Sequence, residues 1–239
     1  MISNNPFFAD LSTYSPEKTI PFYENVFRWK YYKRDNYYTA FLGTIEVVGL
    51  YETPEKFKQM RMPHFWMTYI KVACVDETIN KAKMFGEIIE IDYEIKNFGK
   101  IALIRDPQGA GFTIYQGDKL KNVRTEKTAN TIIWNELHVF DSSKIIPFYQ
   151  GVFNWKIIKN EKGYYNVLND KHEHIADIVE VLGTYMEKYK YWICTFGVED
   201  LYKTKNQVLE NGGNQIISEG NRILFTDNSN EAFFYLKEI

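Results

Sequence analysis

Three groups of side chains in this sequence have residue types and spacings that could do chemistry. In Trp134-Asn135-Glu136-Leu137-His138 a carboxylate and an imidazole stand two residues apart. Alternate residues of a strand share a face, so Trp134, Glu136 and His138 would project together. An imidazole beside a carboxylate can serve as a general base near neutral pH. The second group, His172-Glu173-His174, is the densest ligand-like cluster, with Asp177 close behind. Alternation puts the two histidines on one face and Asp177 on the opposite parity, and a strand H-x-H can supply two metal ligands. The third group is Tyr69 and Lys71, a hydroxyl and an ammonium on one strand face, suited with aromatic walls to flat or partly apolar molecules.

Each group also has a plainer reading. Glu136 and His138 could satisfy linker or backbone donors. His172 and His174 could mark a solvated hairpin end after Asn169-Asp170-Lys171. Phe8, Trp66, Tyr69, Trp134, Trp192 and Tyr235 could be core fillers.

The elements that must position these groups follow from an internal repeat. Ile20-Pro21-Phe22-Tyr23-Glu24-Asn25-Val26-Phe27-Arg28-Trp29-Lys30 recurs as Ile146-Pro147-Phe148-Tyr149-Gln150-Gly151-Val152-Phe153-Asn154-Trp155-Lys156, identical at eight of eleven positions. The offset of 126 also relates Asp10 to Glu136, Leu11 to Leu137, Trp66 to Trp192, Val72 to Val198 and Gly86 to Gly212. Near the end it falls to 121, pairing Asp106 with Asp227 and Phe112 with Phe233. A second-half hairpin one residue longer than the first would align Glu46 with Glu173. Two homologous halves follow, residues 1–118 and 128–239, with 119–127 as a polar, aperiodic linker.

Each half reads as one smaller pattern used twice. Residues 7–13 alternate like a strand, and Ser15-Pro16-Glu17 opens a helical stretch running to Phe27. Because proline deep in a helix loses a backbone bond, the regular helix is expected to start near Thr19 with Pro21 in its first turn. Strands are expected at 29–34, 37–42 and 44–51. The order then returns: a strand over 66–75, a helix over 77–85 ended by Gly86, strands over 88–93 and 100–105, a turn at Asp106-Pro107-Gln108-Gly109, and a strand over 111–115. Four strand–helix–three-strand units fill the chain.

This arrangement resembles the vicinal oxygen chelate superfamily of glyoxalases, bleomycin-resistance proteins and extradiol dioxygenases, in its tandem two-domain branch. The segments carrying the resemblance are Asp10-Leu11-Ser12-Thr13-Tyr14 through Phe22-Tyr23 and Glu136-Leu137-His138-Val139-Phe140-Asp141 through Phe148-Tyr149. Each is followed by Val-Phe-x-Trp, and Arg105-Asp106-Pro107-Gln108-Gly109-Ala110 completes the pattern. The resemblance implies an α+β fold of tandem glyoxalase-like domains, four βαβββ units forming two curved mixed sheets, or cups. It also implies that catalytic members hold a divalent metal in a cup. Carried over, the ligand positions on the opening strands are Phe8, about Met67, Trp134 and about Ile193, and on the final strands Thr113 and Phe234. None of these side chains suits a hard divalent metal. No metal and no other cofactor are therefore expected. Function resides in the site, so family membership alone does not carry the reaction over.

The register of the resemblance makes the face of Asp10, Glu136 and His138 the cup face. Asp10, Tyr69, Lys71, Glu136 and His138 are thus the expected polar lining of a ligand site. The leading reading is a small-molecule-binding protein without the usual metal. The rivals are a metal-dependent lyase or dioxygenase using Glu46, Glu136, His138, His172 and His174, and a non-catalytic interaction protein. The 239 residues are 45% hydrophobic and 25% charged with a net charge of -2, a globular composition without a basic stripe for nucleic acid. No run nears the roughly 20 apolar residues of a membrane span, and Cys74 and Cys194, both expected on strands, have no metal-spaced partner. A cytoplasmic monomer binding a small organic molecule is expected.

Overall fold

In the computed structural model the described residues are 4–85, 88–95, 98–181 and 191–239. The first half begins with β1 (Pro6–Thr13), α1 (Pro16–Phe27), β2 (Lys30–Arg34), β3 (Tyr37–Leu42) and β4 (Ile45–Glu52). It continues through α2 (Glu55–Gln59), β5 (Phe65–Lys71), α3 (Val75–Lys83), β6 (Ile88–Ile95), β7 (Gly99–Arg105) and β8 (Gly111–Gln116). The second half repeats the order as β9 (Ile132–Val139), α4 (Ser142–Phe153), β10 (Lys156–Lys159), β11 (Tyr165–Leu168) and β12 (His174–Glu180). It closes with β13 (Trp192–Val198), α5 (Leu201–Glu210), β14 (Asn214–Glu219), β15 (Arg222–Thr226) and β16 (Phe233–Glu238).

These strands form two eight-stranded mixed sheets, one for each half of the sequence, so the α+β fold of four βαβββ modules stands. The runs are β2-β3-β4-β1 and β5-β8-β7-β6 in the first sheet, β10-β11-β12-β9 and β13-β16-β15-β14 in the second. In each module the opening strand pairs in parallel with the last, as β1 with β4 and β9 with β12, while the intervening hairpins are antiparallel.

The chain divides into two compact units, one of residues 1–8, 68–122 and 135–192, the other of 9–67, 123–134 and 193–239. In the first unit α3 and α4 cover a core in which Ile70, Val72, Ile104, Phe112 and Ile114 of one sheet meet Leu137, Val139 and Ile178 of the other. Phe148, Tyr149, Val152 and Phe153 of α4 fill it from a stripe of helical spacing. Fully burying each such ring stabilises the fold by about 1.5–3 kcal/mol. The second unit has an aromatic core in which Tyr23, Phe27 and Trp29 pack around Trp66, Phe196 and Phe234.

Three local expectations need correction. Helix α1 starts at Pro16, not Thr19, and Pro21 lies inside it, as Pro147 lies inside α4. Ser15 O already accepts from Lys18 and Thr19, and Asp141 caps α4 through Ser143 N, so each first turn closes before its proline. The buried Phe-Tyr and Val-Phe pairs offset the one helical bond each proline removes. Second, β5 ends at Lys71, and half-buried Cys74 caps α3 instead of lying on a strand; buried Cys194 is on β13 as expected. Third, the loop before Pro63 contains the short helix α2. The proposed stop at Gly86 lies outside the described residues.

Candidate functional site

Leu137 and Val139 of β9 point into the core under α4, so strand alternation turns Glu136 and His138 to the opposite face. Both side chains are buried there, and His138 Nε2 lies 2.5 Å from Glu136 Oε1. The neighbouring parallel strand β12 sets Asp177 beside Glu136 and Val179 beside His138. Across β11, Asn166 stands opposite Asp177, which gives a polar row Asn166–Asp177–Glu136 over three strands. Asp177 Oδ1 in turn meets His174 Nε2 at 2.8 Å. Two carboxylate–imidazole pairs therefore lie side by side, one buried and one reaching solvent, with His174 41% exposed at its side chain.

This overturns the parity read from His172-Glu173-His174. His172 sits in the turn with φ 62° and does not share a strand face with His174. The β11–β12 register slips between Val167 and Leu168, so Ala176 opposes Val167 while His174 opposes Leu168. That bulge carries His174 to the side of Asp177. The first half has the same irregularity, with Val48 opposite Ala40 and Glu46 opposite Phe41. Glu46 consequently corresponds to His174, not Glu173, and Gly49 corresponds to Asp177. The second hairpin is two residues longer than the first, not one. Glu173 instead turns back on its own loop, accepting from Asn169 Nδ2 at 2.7 Å.

The other expected residues fall elsewhere. Asp10 lies on β1 of the first sheet, buried, and accepts from Tyr37 Oη at 3.1 Å. Burial, with Asp10 adding to it, pushes the Tyr37 phenol well above the usual tyrosine range. Tyr69 and Lys71 on β5 face away from the core formed by Ile70 and Val72. The Tyr69 ring meets Phe8 edge to face at 5.4 Å, and Lys71 Nζ stands 3.8 Å from the fully exposed Asp118. Of the five, the structure joins Glu136 to His138 directly. The set missed Asp177, His174 and Tyr37; the legible signal was the offset of β12, which a count of turn residues alone could not supply.

Each half also buries a carboxylate in the turn before its last strand. Asp106 Oδ1 accepts from Gln108 N and Ala110 N, both at 2.9 Å, and Oδ2 from Tyr149 Oη at 3.2 Å. In the other half Asp227 Oδ1 accepts from Ser229 N at 2.9 Å and Oδ2 from Tyr23 Oη at 3.2 Å. Burial raises both carboxyls above the usual aspartate value, opposed by these hydrogen bonds. The Tyr of each repeated Ile-Pro-Phe-Tyr thus ties a helix of one half to a turn of the other.

Residues 8–114 match the family model of the Glyoxalase/Bleomycin resistance protein/Dioxygenase superfamily. The repeat extends that pattern to the second half. Over residues 8–114 the chain carries the superfamily's pattern. Among its relatives is "Putative glyoxylase CFP32" of Mycobacterium bovis, 26% identical over 228 residues, 90% of this chain and 84% of that protein. The 2,3-dioxygenase LapB from Pseudomonas sp. KL28 has the same fold, with a TM-score of 0.66 at 12% identity over 100% of this chain and 94% of its own. A Mn(II)-bound glyoxalase from Novosphingobium aromaticivorans gives a TM-score of 0.63 at 11% identity over 99% of this chain and 82% of its own.

At the positions that the resemblance assigned to metal ligands the structure places the following side chains. Phe8 packs on Tyr69, Met67 and Ile193 are buried apolar side chains, and Trp134 lies under the Arg124 guanidinium at 4.3 Å. Thr113 is opposite Tyr69. Phe234 requires correction as the final-strand position, because its ring packs against Phe22, Tyr23 and Phe27 of α1. Thr195 pairs with Tyr235 as Tyr69 pairs with Thr113, so the counterpart of Thr113 is Tyr235. The cause is one extra residue in the turn, where Asp227 N bonds Ala232 O while Asp106 N bonds Ala110 O. Tyr235 carries the Arg222 guanidinium at 4.2 Å, an arrangement that repels a cation. Among the described residues no three His, Cys, Asp or Glu side chains converge as a metal site. Nor is any described helix long and apolar enough to cross a membrane.

Proposed function

We propose that this chain is a small-molecule-binding member of the superfamily that works without the superfamily's metal, in the cytoplasm. Its principal site is the cup face of the second sheet, where Glu136 and His138 make the polar contacts and Asp177 flanks them. Tyr69 and Lys71 offer a second polar patch on the first sheet, and Asp10 is the first-sheet counterpart of Glu136.

The observation that carries the reading is the buried Glu136–His138 pair on the face turned away from the hydrophobic core. Keeping a carboxylate and an imidazole out of water costs several kcal/mol unless both are well partnered. Such pairs concentrate at binding and catalytic sites. The pair can orient a polar group of a ligand against its imidazole and carboxylate. Native mass spectrometry of the gently purified protein should reveal a bound organic molecule. Glu136→Ala and His138→Ala should each weaken its binding about ten- to hundredfold, equal to roughly 1.4–2.8 kcal/mol, with the fold kept. Unchanged affinity in both variants would remove the site.

A further inference from the structure

The polar row of the second sheet has a counterpart in the first that is built differently. There Thr39, Gly49 and Asp10 stand side by side across β3, β4 and β1. The middle residue is glycine, and the Tyr37 side chain uses the space. A Cβ added to Gly49 would lie 2.5 Å from Tyr37 Cζ and 2.9 Å from Asp10 Cβ, and closer still to the Tyr37 hydroxyl. From that position Tyr37 Oη donates to Asp10 Oδ2. In the second sheet Asp177 fills the glycine place, so a ring could not settle there. The residue matching Tyr37 is Tyr164, whose backbone closes a turn with Asn160.

We infer that the first sheet carries a ring-binding slot that the chain fills with its own phenol. The slot consists of the bare backbone at Gly49, which admits the ring, and the buried Asp10 carboxylate, which accepts from its hydroxyl. The ligand class it takes is a small neutral phenol. On the function proposed above, this self-occupation closes the Asp10 position to an external ligand, while the Glu136 position of the second sheet carries no such plug. The slot itself does not depend on that function.

Removing the plug tests it. Tyr37→Ala should bind p-cresol, the side chain of tyrosine as a free molecule, saturably and one to one in isothermal titration calorimetry. Toluene, which has the ring and no hydroxyl, should bind at least tenfold more weakly because it does not replace the Tyr37 hydroxyl that donates to Asp10 Oδ2. The wild-type chain should give no such binding. Equal affinity for both probes, or no saturable binding of p-cresol by the variant, would overturn the inference. If Tyr37→Ala unfolds, p-cresol present during refolding must restore a cooperative transition, and failure to do so counts equally against the slot. Gly49→Ala gives a second readout in the full-length chain. Its new Cβ should expel the ring, so that spectrophotometric titration gains one tyrosine ionising near the ordinary value of about 10. An unchanged tyrosine titration would show that the ring does not occupy the space above Gly49. None of these measurements involves Glu136 or His138, so the slot and the second-sheet site can fail independently.

Discussion

Replacing Tyr149 by Phe removes one oxygen from a chain of three buried groups, and the cost can be worked from their geometry. Trp192 Nε1 donates to Tyr149 Oη at 3.1 Å, and Tyr149 Oη donates to Asp106 Oδ2 at 3.2 Å. A hydrogen bond to a charged acceptor contributes about 1.5–3 kcal/mol, and the indole N–H left behind adds about 1 kcal/mol more. The expected loss is about 2–4 kcal/mol, or roughly 5–15 °C in Tm for a chain of this size. The loss should depend on pH. Burial raises the Asp106 carboxyl above its unfolded value, so its contribution to stability is fully present below the ordinary aspartate pKa of about 3.8 and declines as pH rises through the folded value. The Tyr149 bond opposes that rise, so Tyr149→Phe should cost more at pH 8, where the carboxylate is ionised, than at pH 4. Thermal unfolding followed by circular dichroism at both pH values, with Asp106→Asn and the double variant, completes a cycle. The argument is refuted by a Tm change under about 1 °C, by an equal cost at both pH values, or by strict additivity of the two substitutions.

Five further outcomes are expected. Tyr23→Phe should show the same pH-dependent loss through Asp227, whose carboxyl burial also raises, again read from Tm at pH 4 and pH 8. Protein purified without chelators should contain far less than one equivalent of any transition metal by elemental analysis, and EDTA should leave Tm unchanged, since a resident metal would stabilise only the folded state. Arg28→Gly should raise stability by roughly 1 kcal/mol in denaturant titration, because Arg28 ends α1 in the left-handed region at φ 60°, where a side chain is strained. His174→Ala should change stability by no more than about 1 kcal/mol, because its pair with Asp177 is partly solvated, and light scattering should give a monomer mass.

The fold was legible because it is encoded twice. An apolar stripe at helical spacing and the polar–apolar alternation of Asp10-Leu11-Ser12 and Glu136-Leu137-His138-Val139 survive duplication, so the offset of 126 carried the module order without any structural help. The site was only half legible, and the reason is register. Glu136 and His138 lie on one strand, where alternation alone fixes a shared face. Asp177 and His174 come from a different strand, and their placement depends on a two-residue difference in hairpin length and on a bulge between Val167 and Leu168. A one-residue slip moves every side chain to the opposite face, so local pattern cannot decide such a pairing. The same physics misassigned Phe234: a single residue added between Asp227 and Ala232 exchanges Phe234 for Tyr235 on the cup face. What the sequence leaves undetermined is therefore concentrated in turns, although the chemistry they control sits on strands. The two sheets diverge at one such controlled position, Gly49 in the first and Asp177 in the second. There the choice between no side chain and a carboxylate decides whether the row is closed by the chain's own tyrosine or continued by an ionisable group.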